Sequence, residues 1–319
     1  MIEAKTLTRT YGDFVAVSDV SFSIQEGEVV GLLGHNGAGK TTVMKMLTGF
    51  LEPTSGVASV GGFDVSTDRR SAQAMIGYLP ENCPVYPEMA VLDYLDYAAS
   101  LRGVEPGKRA SEVARVIAAT NLEEKARAPI SALSRGLRQR VGVAQAIIGS
   151  PKYIILDEPT NGLDPSQIKQ MRALIKDLAT SATVILSTHI LQEVQAVCDR
   201  AIIIDRGRLA VDSTLAELQS ERRMRIVSSF SPVQVAQALG DTAADIKPAS
   251  ADGAGIGVDV AISSEDGAAF AADAARKLVS AGADLFELTI VKRDLETLFS
   301  EISRERFDAD QETGINAAA

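Results

Sequence analysis

The chain has 319 residues, 46% of them hydrophobic, and a formal charge of −10 from 32 Lys and Arg against 42 Asp and Glu. It is too apolar for an intrinsically disordered protein and long enough for two domains, one of them sizeable. The acidic balance argues against a nucleic-acid backbone as partner. The two cysteines, Cys83 and Cys198, lack metal-ligand spacing and read as plain thiols in a reducing cytosol. No apolar run approaches the ~18 residues needed to cross a bilayer, and the N-terminus carries no signal-peptide pattern. Work at a membrane therefore calls for another chain to span it.

Residues 1–33 read as strands over Ile2–Leu7, Val15–Ile24 and Glu28–Leu33, with Gly12 and Gly27 at the turns. Tyr11, just before Gly12, is either a half-buried turn aromatic or a stacking platform for a nucleobase. Next comes Gly34-His35-Asn36-Gly37-Ala38-Gly39-Lys40-Thr41-Thr42, which fits glycine, four residues, glycine, lysine, then serine or threonine. An apolar strand precedes it, and Val43–Leu47 follows at helical spacing. In that context the glycines let backbone N–H groups form an anion nest, and the new helix turns its positive end towards phosphates. Lys40 is placed to reach β- and γ-phosphates and the Thr41 hydroxyl to meet Mg²⁺. The loop reads as a nucleoside triphosphate site.

Beyond it lie a hairpin, Val57–Val60 and Phe63–Val65 across Gly61-Gly62, and a strand over Met75–Pro80 ending at Glu81. A helix with Leu92, Leu95 and Ala99 on one face is expected next, then a second near Ala110–Thr120. Leu133–Arg140 leads into a helix through Val141–Ile148. The unbroken apolar run Tyr153–Leu156 is expected to be a strand buried on both faces, and it ends in Asp157-Glu158-Pro159. A helix over Pro165–Thr180, a buried strand Thr183–Ser187 ending at Thr188-His189, and a helix near Ile190–Cys198 follow. The strands Arg200–Asp205 and Arg208–Val211 complete an alternation that argues for a mainly parallel, three-layer α/β domain.

Composition shifts near residue 220. Residues 221–303 read as strand (Met224–Phe230), helix (Pro232–Leu239), weak strands about Ala244–Lys247 and Gly255–Ile262, helix (Asp266–Ala281), strand (Asp284–Val291) and helix (Leu295–Ile302). That is a small α+β domain of split βαβ type. No catalytic constellation is legible in it. The polar tail, 304–319, is expected to be disordered.

Asp157 and Glu158 stand at a strand end, where α/β folds place ligand residues. Adjacent side chains there point different ways, so one can hold Mg²⁺ while the other acts as base towards water. His189, at the end of a parallel strand, suits a γ-phosphate contact. The ordered series resembles the nucleotide-binding subunit of ATP-binding-cassette (ABC) transporters over residues 1–220. The resemblance implies a P-loop ABC-type ATPase domain: a parallel sheet core, an antiparallel β subdomain and a helical subdomain at about 82–150. It makes Tyr11 the adenine-stacking aromatic, Gly34–Thr42 the phosphate loop, and Glu81 the residue that senses Mg²⁺ and the membrane subunit. Leu133-Ser134-Arg135-Gly136-Leu137 is similar to the family signature, and Asn161–Asp164 to its dimer-contact loop. Two departures stand out: Glu81 replaces a glutamine, and Arg135 and Leu137 replace the first glycine and the glutamine of the signature.

The implied activity is ATP hydrolysis in a head-to-tail dimer. Ser134, Arg135, Gly136, Leu137 and Asp164 of one chain would complete the site around Lys40 and Thr41 of the other, with Thr41, Glu81 and Asp157 on the metal side. The implied partner is a separate integral membrane permease, with this chain cytoplasmic and peripheral on the inner face of the membrane. Tyr78–Glu81 and Leu133–Arg140 look like the export branch that includes gliding-motility and copper-site-maturation transporters. The alternative is a cassette ATPase working on ribosomes or DNA. The single cassette, the lack of a heptad insertion and the acidic charge count against it.

Overall fold

Unbroken apolar runs and half-buried alternation sort the strands of residues Met1–Thr214, the first of two units in the chain, into two sheets. The structure is a computed structural model and describes residues 1–220, 222–240, 244–249, 255–262, 267–292, 295 and 298–299. Strands β1 (Ile2–Tyr11) and β2 (Phe14–Ile24) mix buried and exposed positions, as expected for a sheet with one solvated face. β3 (Val29–Leu33) is buried at every residue and runs into helix α1 (Lys40–Leu47), which starts at Lys40 itself. β4 (Ser55–Val60) and β5 (Phe63–Asp64) form the expected hairpin, followed by α2 (Arg69–Ala74) and β6 (Ile76–Leu79). β1, β2, β4 and β5 make an antiparallel sheet in the order β2-β1-β4-β5.

Helix α3 (Val91–Leu101) buries Val91, Tyr94, Leu95, Ala98 and Ala99. Leu92, expected on that face, is instead 44% exposed. The buried stripe falls at i, i+3, i+4, i+7 and i+8 from Val91, so Leu92 sits about 100° round the helix from its start. α4 (Pro106–Ala119) carries proline in its first turn. α5 (Arg135–Ala146) begins earlier than the expected Val141. The Ser134 hydroxyl caps it by accepting from the Leu137 N–H, so Arg135, Gly136 and Leu137 form its first turn. β7 (Tyr153–Asp157), α6 (Pro165–Ala179), β8 (Thr183–Thr188), α7 (Leu191–Val197), β9 (Arg200–Asp205) and β10 (Arg208–Thr214) follow in the expected order.

The second sheet runs β10-β9-β3-β8-β7-β6, parallel throughout except for the β9–β10 hairpin. Its core packs Val30, Leu32, Ile155, Ile185 and Ile202 against Val43, Met44 and Leu47 of α1 and the inner face of the antiparallel sheet.

The unit Leu215–Ala319 contains α8 (Leu215–Ser220), β11 (Arg222–Ser228), α9 (Pro232–Leu239), β12 (Ala244–Ala249), β13 (Ile256–Ala261), α10 (Gly267–Ser280) and β14 (Leu285–Lys292). Its sheet is antiparallel in the order β12-β13-β11-β14, the split βαβ arrangement. Met224, Ile226, Val258 and Val260 pack against Val235, Leu239, Ala274 and Leu278 of the helices. Ser231 and Gln234 form a capping box at the start of α9. The helix expected over Leu295–Ile302 falls largely, and the tail 304–319 wholly, outside the described residues.

The two leucines of α3 separate the expected face from the observed one. Leu95→Ala should lower unfolding stability by about 2–5 kcal/mol through the cavity it leaves. Leu92→Ala should change it by less than about 1 kcal/mol. Urea titration of both variants measures the difference.

Candidate active site

Neighbouring parallel strands end on one edge of the sheet, and the sequence puts a chemically active residue after each. Leu33 of β3 is level with Thr188 of β8, Asp157 of β7 with Ser187, and Leu79 of β6 with Leu156. The glycine loop, His189, the Asp157-Glu158 pair and Glu81 therefore follow one another across that edge. They open onto a cleft of ≈ 580 Å³ lined by Tyr11, Phe14, Ala16, Asn36, Gly37, Ala38, Gly39, Lys40, Thr41, Thr42, Glu81, Glu158, Asn161 and His189.

The loop backbone is shaped by its glycines where other residues press on it. Gly39, at φ 105, precedes α1, and a Cβ there would lie 2.8 Å from the Ala16 carbonyl oxygen. Any side chain would push the nest off β2. Lys40 is 6% exposed. Its ammonium donates to the carbonyls of Gly34 (2.7 Å) and His35 (3.2 Å) and stands 3.9 Å from Glu158 Oε1. Burial pushes its pKa down, against the carboxylates of Glu158, Asp157 and Glu81, which hold it up.

Glu158 sits at φ 49, in the left-handed region, at a cost of about 1–2 kcal/mol for a residue with a Cβ. Its N–H donates to the Ser187 carbonyl (3.1 Å) and hydroxyl (3.2 Å), which fixes the turn to β8. The sharp turn leaves Asp157 and Glu158 facing different ways, as the sequence requires. His189 Nδ1 lies 3.1 Å from both Glu158 carboxylate oxygens. Asp157 Oδ1 accepts from the Ser187 hydroxyl, while its Oδ2 is buried without a partner. Glu81 Oε1 meets the Asn161 side-chain amide at 3.5 Å.

The Ser134–Leu137 stretch is absent from this cleft's walls. It forms the start of α5 instead, beside the start of α6, where Asp164 caps the helix by accepting from the Gln167 N–H (2.9 Å). A Cβ on Gly136 would lie 2.8 Å from the Gln167 side chain, so the two helix starts touch.

A family model described as ABC transporter matches residues 17–161. An ABC transporter ATP-binding protein of Bacillus subtilis, YxlF, is 36% identical over 71% of this chain and 75% of its own length. The chain belongs to the ABC transporter family. The bacitracin transport ATP-binding protein BcrA of Bacillus licheniformis is 32% identical over 77% of this chain and 80% of its own. Among solved structures, the ATP-binding subunit of an ABC transporter superposes with TM-score 0.63 at 30% identity, covering 69% of this chain and 92% of that one. A bacterial ABC transporter cassette, solved as a dimer, superposes with TM-score 0.62 at 25% identity, covering 67% and 99%.

This ABC cassette binds and hydrolyses ATP, and its cleft has the phosphate-binding and acid–base groups that reaction needs. The donors also fit a small hard cation: the orphaned Asp157 Oδ2 is buried beside the cleft, and the Thr41 hydroxyl lines it. Among the described residues no group of three or more His, Cys, Asp or Glu gathers to cage an ion. Mg²⁺ suits such a place, because it keeps waters and substrate phosphates as ligands.

Sequence reading missed Phe14, Ala16 and Asn161 in the cassette's cleft. Phe14 pairs directly with Tyr11 across the turn, so both aromatics share one face, and the two-residue Gly12-Asp13 connection was the signal for it. It also missed Glu193, which is 1% exposed and accepts from the Thr160 hydroxyl behind Glu158. Burial pushes the Glu193 carboxyl above its ordinary range, opposed by the Thr160 hydrogen bond and Arg172.

A second cleft of ≈ 570 Å³ lies on the other side of residues 78–86, lined by Phe50, Tyr78, Pro84, Val85, Tyr86, Tyr94, Tyr97 and Leu101 among others. Tyr86 meets Tyr94 and Tyr97 edge-on at centroid distances of 6.1 and 5.9 Å. Phe50, Tyr86, Tyr97 and Leu101 are all exposed.

The raised Glu193 pKa makes a stability prediction. The folded state holds this proton more tightly than the unfolded one, so its stabilising effect is complete below the ordinary carboxylate pKa and fades as pH rises through the folded value. Glu193→Gln should therefore flatten the fall of the urea midpoint as pH is raised from the ordinary carboxylate range towards neutrality. An unchanged slope would remove Glu193 as its source.

Proposed function

We propose that this chain is the energising subunit of a membrane exporter, working as a head-to-tail dimer under a separate integral membrane permease. The observation that carries the reading is the split between the two halves of the site. Lys40, Thr41, Glu158 and His189 converge on one cleft, while Ser134–Leu137 and Asp164 lie outside it at the paired starts of α5 and α6. In the dimer a second copy brings those helix starts over the phosphates. The family resemblance of Ser134-Arg135-Gly136 to the signature supports that assignment. So does a structural relative that is itself a dimeric cassette.

Each residue then has a defined task. Tyr11 stacks on the adenine, and the N–H groups of Gly34–Thr42 with the α1 terminus hold the β-phosphate. The Lys40 ammonium exchanges its bonds to the Gly34 and His35 carbonyls for β- and γ-phosphate oxygens. Thr41 and Asp157, with Glu81 at the edge, would hold Mg²⁺, which supplies positive charge at the phosphates. Glu158 takes the proton of the attacking water. Its contact with His189 Nδ1 orients both side chains and leaves Nε2 for the γ-phosphate.

The permease is assigned to the aromatic cleft of Phe50, Tyr86, Tyr97 and Leu101, an exposed apolar surface of the kind that marks a protein contact. Among the described residues no helix is long and apolar enough to cross a membrane, so the spanning segments belong to the partner. We place the chain on the inner face of the membrane. We assign residues 1–220 to the cassette and 221–303 to an accessory domain. Tyr78–Glu81 and Leu133–Arg140 support membership of the export branch that includes gliding-motility and copper-site-maturation transporters.

Glu158→Gln should retain ATP binding, lower turnover by about a hundredfold or more, and accumulate an ATP-bound dimer. Phosphate release and size-exclusion chromatography measure the two effects, and wild-type turnover would remove Glu158 as the base. Affinity capture of the tagged chain should recover a polytopic membrane protein; recovery of ribosomes in its place would favour the other cassette class.

A further inference from the structure

Two charged residues stand where the resemblance makes the family pattern neutral, and among the described residues neither forms an ion pair. Glu81 replaces glutamine at the cleft edge. Among the described residues it forms no ion pair; it meets the Asn161 amide at 3.5 Å, and Lys40 feels its charge less than those of Glu158 and Asp157. It adds negative charge to a cleft that already holds Asp157 and Glu158 and must receive a triphosphate. Lys40 is the single Lys or Arg among the cleft's lining residues.

Arg135 replaces glycine in the first turn of α5. A cation there opposes the positive end of the helix, and that first turn contains no acidic residue. Among the described residues Arg135 has no hydrogen-bond or ion-pair partner. Its side chain is nonetheless seated. The guanidinium lies close to Gly162, at φ 71, where a Cβ would fall 2.4 Å from Arg135 Cζ and 2.5 Å from Nη1. A lone Arg on a helix surface is ordinary. This exposed one lies against Gly162 of the 161–164 loop and beside the capping Ser134, on the part of the chain that the proposed dimer brings to the other site.

We propose that Arg135 is the counter-charge to Glu81 in trans: when two chains close, the guanidinium of one enters the phosphate end of the other's cleft and offsets the carboxylate that Glu81 brings there. This rests on the head-to-tail dimer described above. The charges of opposite sign then sit on the two halves of one composite site. Arg135 delivers its positive charge only on closure. It is thereby a specificity element for like partners, since a signature without the cation would leave Glu81 uncompensated.

The test is a charge cycle on the full-length chain, with ATP turnover as the readout. Arg135→Gly should slow turnover by about tenfold while equilibrium binding of a fluorescent ATP analogue to the single chain stays unchanged, because Arg135 is outside its own cleft. Arg135→Lys should keep most of the rate and Arg135→Gln should not, which separates charge from packing. The Glu81→Gln/Arg135→Gly double variant should lose clearly less than the product of the two single losses, Glu81 keeping its own part at the metal edge. An equal mixture of Glu81→Gln chains with Arg135→Gly chains should exceed the mean of the two alone, because each mixed dimer contains one site with both original charges and one with neither. Strictly multiplicative effects in the double variant, with no gain on mixing, would overturn the pairing. The Glu158→Gln variant run with ATP keeps the two readings apart. If it dimerises while the cycle is multiplicative, only the Arg135 assignment fails. If it stays monomeric, the dimer fails and the pairing with it.

Discussion

Parallel pairing of β3, β8, β7 and β6 is the constraint on which the rest of this molecule depends. In a parallel ladder the chain direction is shared, so whatever follows each strand emerges on the same edge. The register that sets Leu33 beside Thr188 and Asp157 beside Ser187 converts residues far apart in sequence into neighbours. That register is held by strands buried at every position, where slippage would break packing against α1 and part Asp157 from Ser187. The chemistry of the edge is a consequence of the core beneath it.

Electrostatics then divides the edge into fixed and adjustable parts. Asp157 is locked by the Ser187 hydroxyl, and Glu158 by a left-handed turn whose N–H is tied to the same serine. Ser187 thus holds two adjacent carboxylate residues in place, and the local backbone strain is offset by these bonds. Lys40 is different. Its ammonium rests on the carbonyls of the loop itself, so the buried charge has partners without a bound ligand, and in the proposed mechanism it exchanges them for phosphate oxygens.

Most strands and the glycine loop were legible in the sequence, because unbroken apolar runs and glycine spacing report directly on backbone geometry. The start of α5 was not. A serine followed by arginine and glycine carries weak helix propensity, and the deciding interaction is the cap from Ser134 to Leu137. Leu92 misled for a related reason: its hydrophobicity fits a face that the helix phase does not bury. Within the site, the phosphate loop, Asp157, Glu158, Glu81 and His189 were readable because each follows a strand. Phe14 was overlooked although the two-residue Gly12-Asp13 connection signals its pairing with Tyr11. Glu193 depends on packing between α7 and the turn after β7, which leaves no local pattern.

Residues 78–86 are a shared wall. Glu81 faces the nucleotide cleft, Tyr78, Pro84, Val85 and Tyr86 face the aromatic one, and the Cys83 thiol between them donates to the Arg138 carbonyl of α5 at 3.3 Å. A wall of this kind cannot be moved from one side alone. By thermodynamic linkage, whatever factor ATP contributes to the grip on the proposed permease at the aromatic cleft, the permease must return to the grip on ATP. In the proposed transporter the permease is then an effector of nucleotide affinity as well as a recipient of force, and the affinity of the isolated chain for ATP describes only one side of a two-ligand equilibrium.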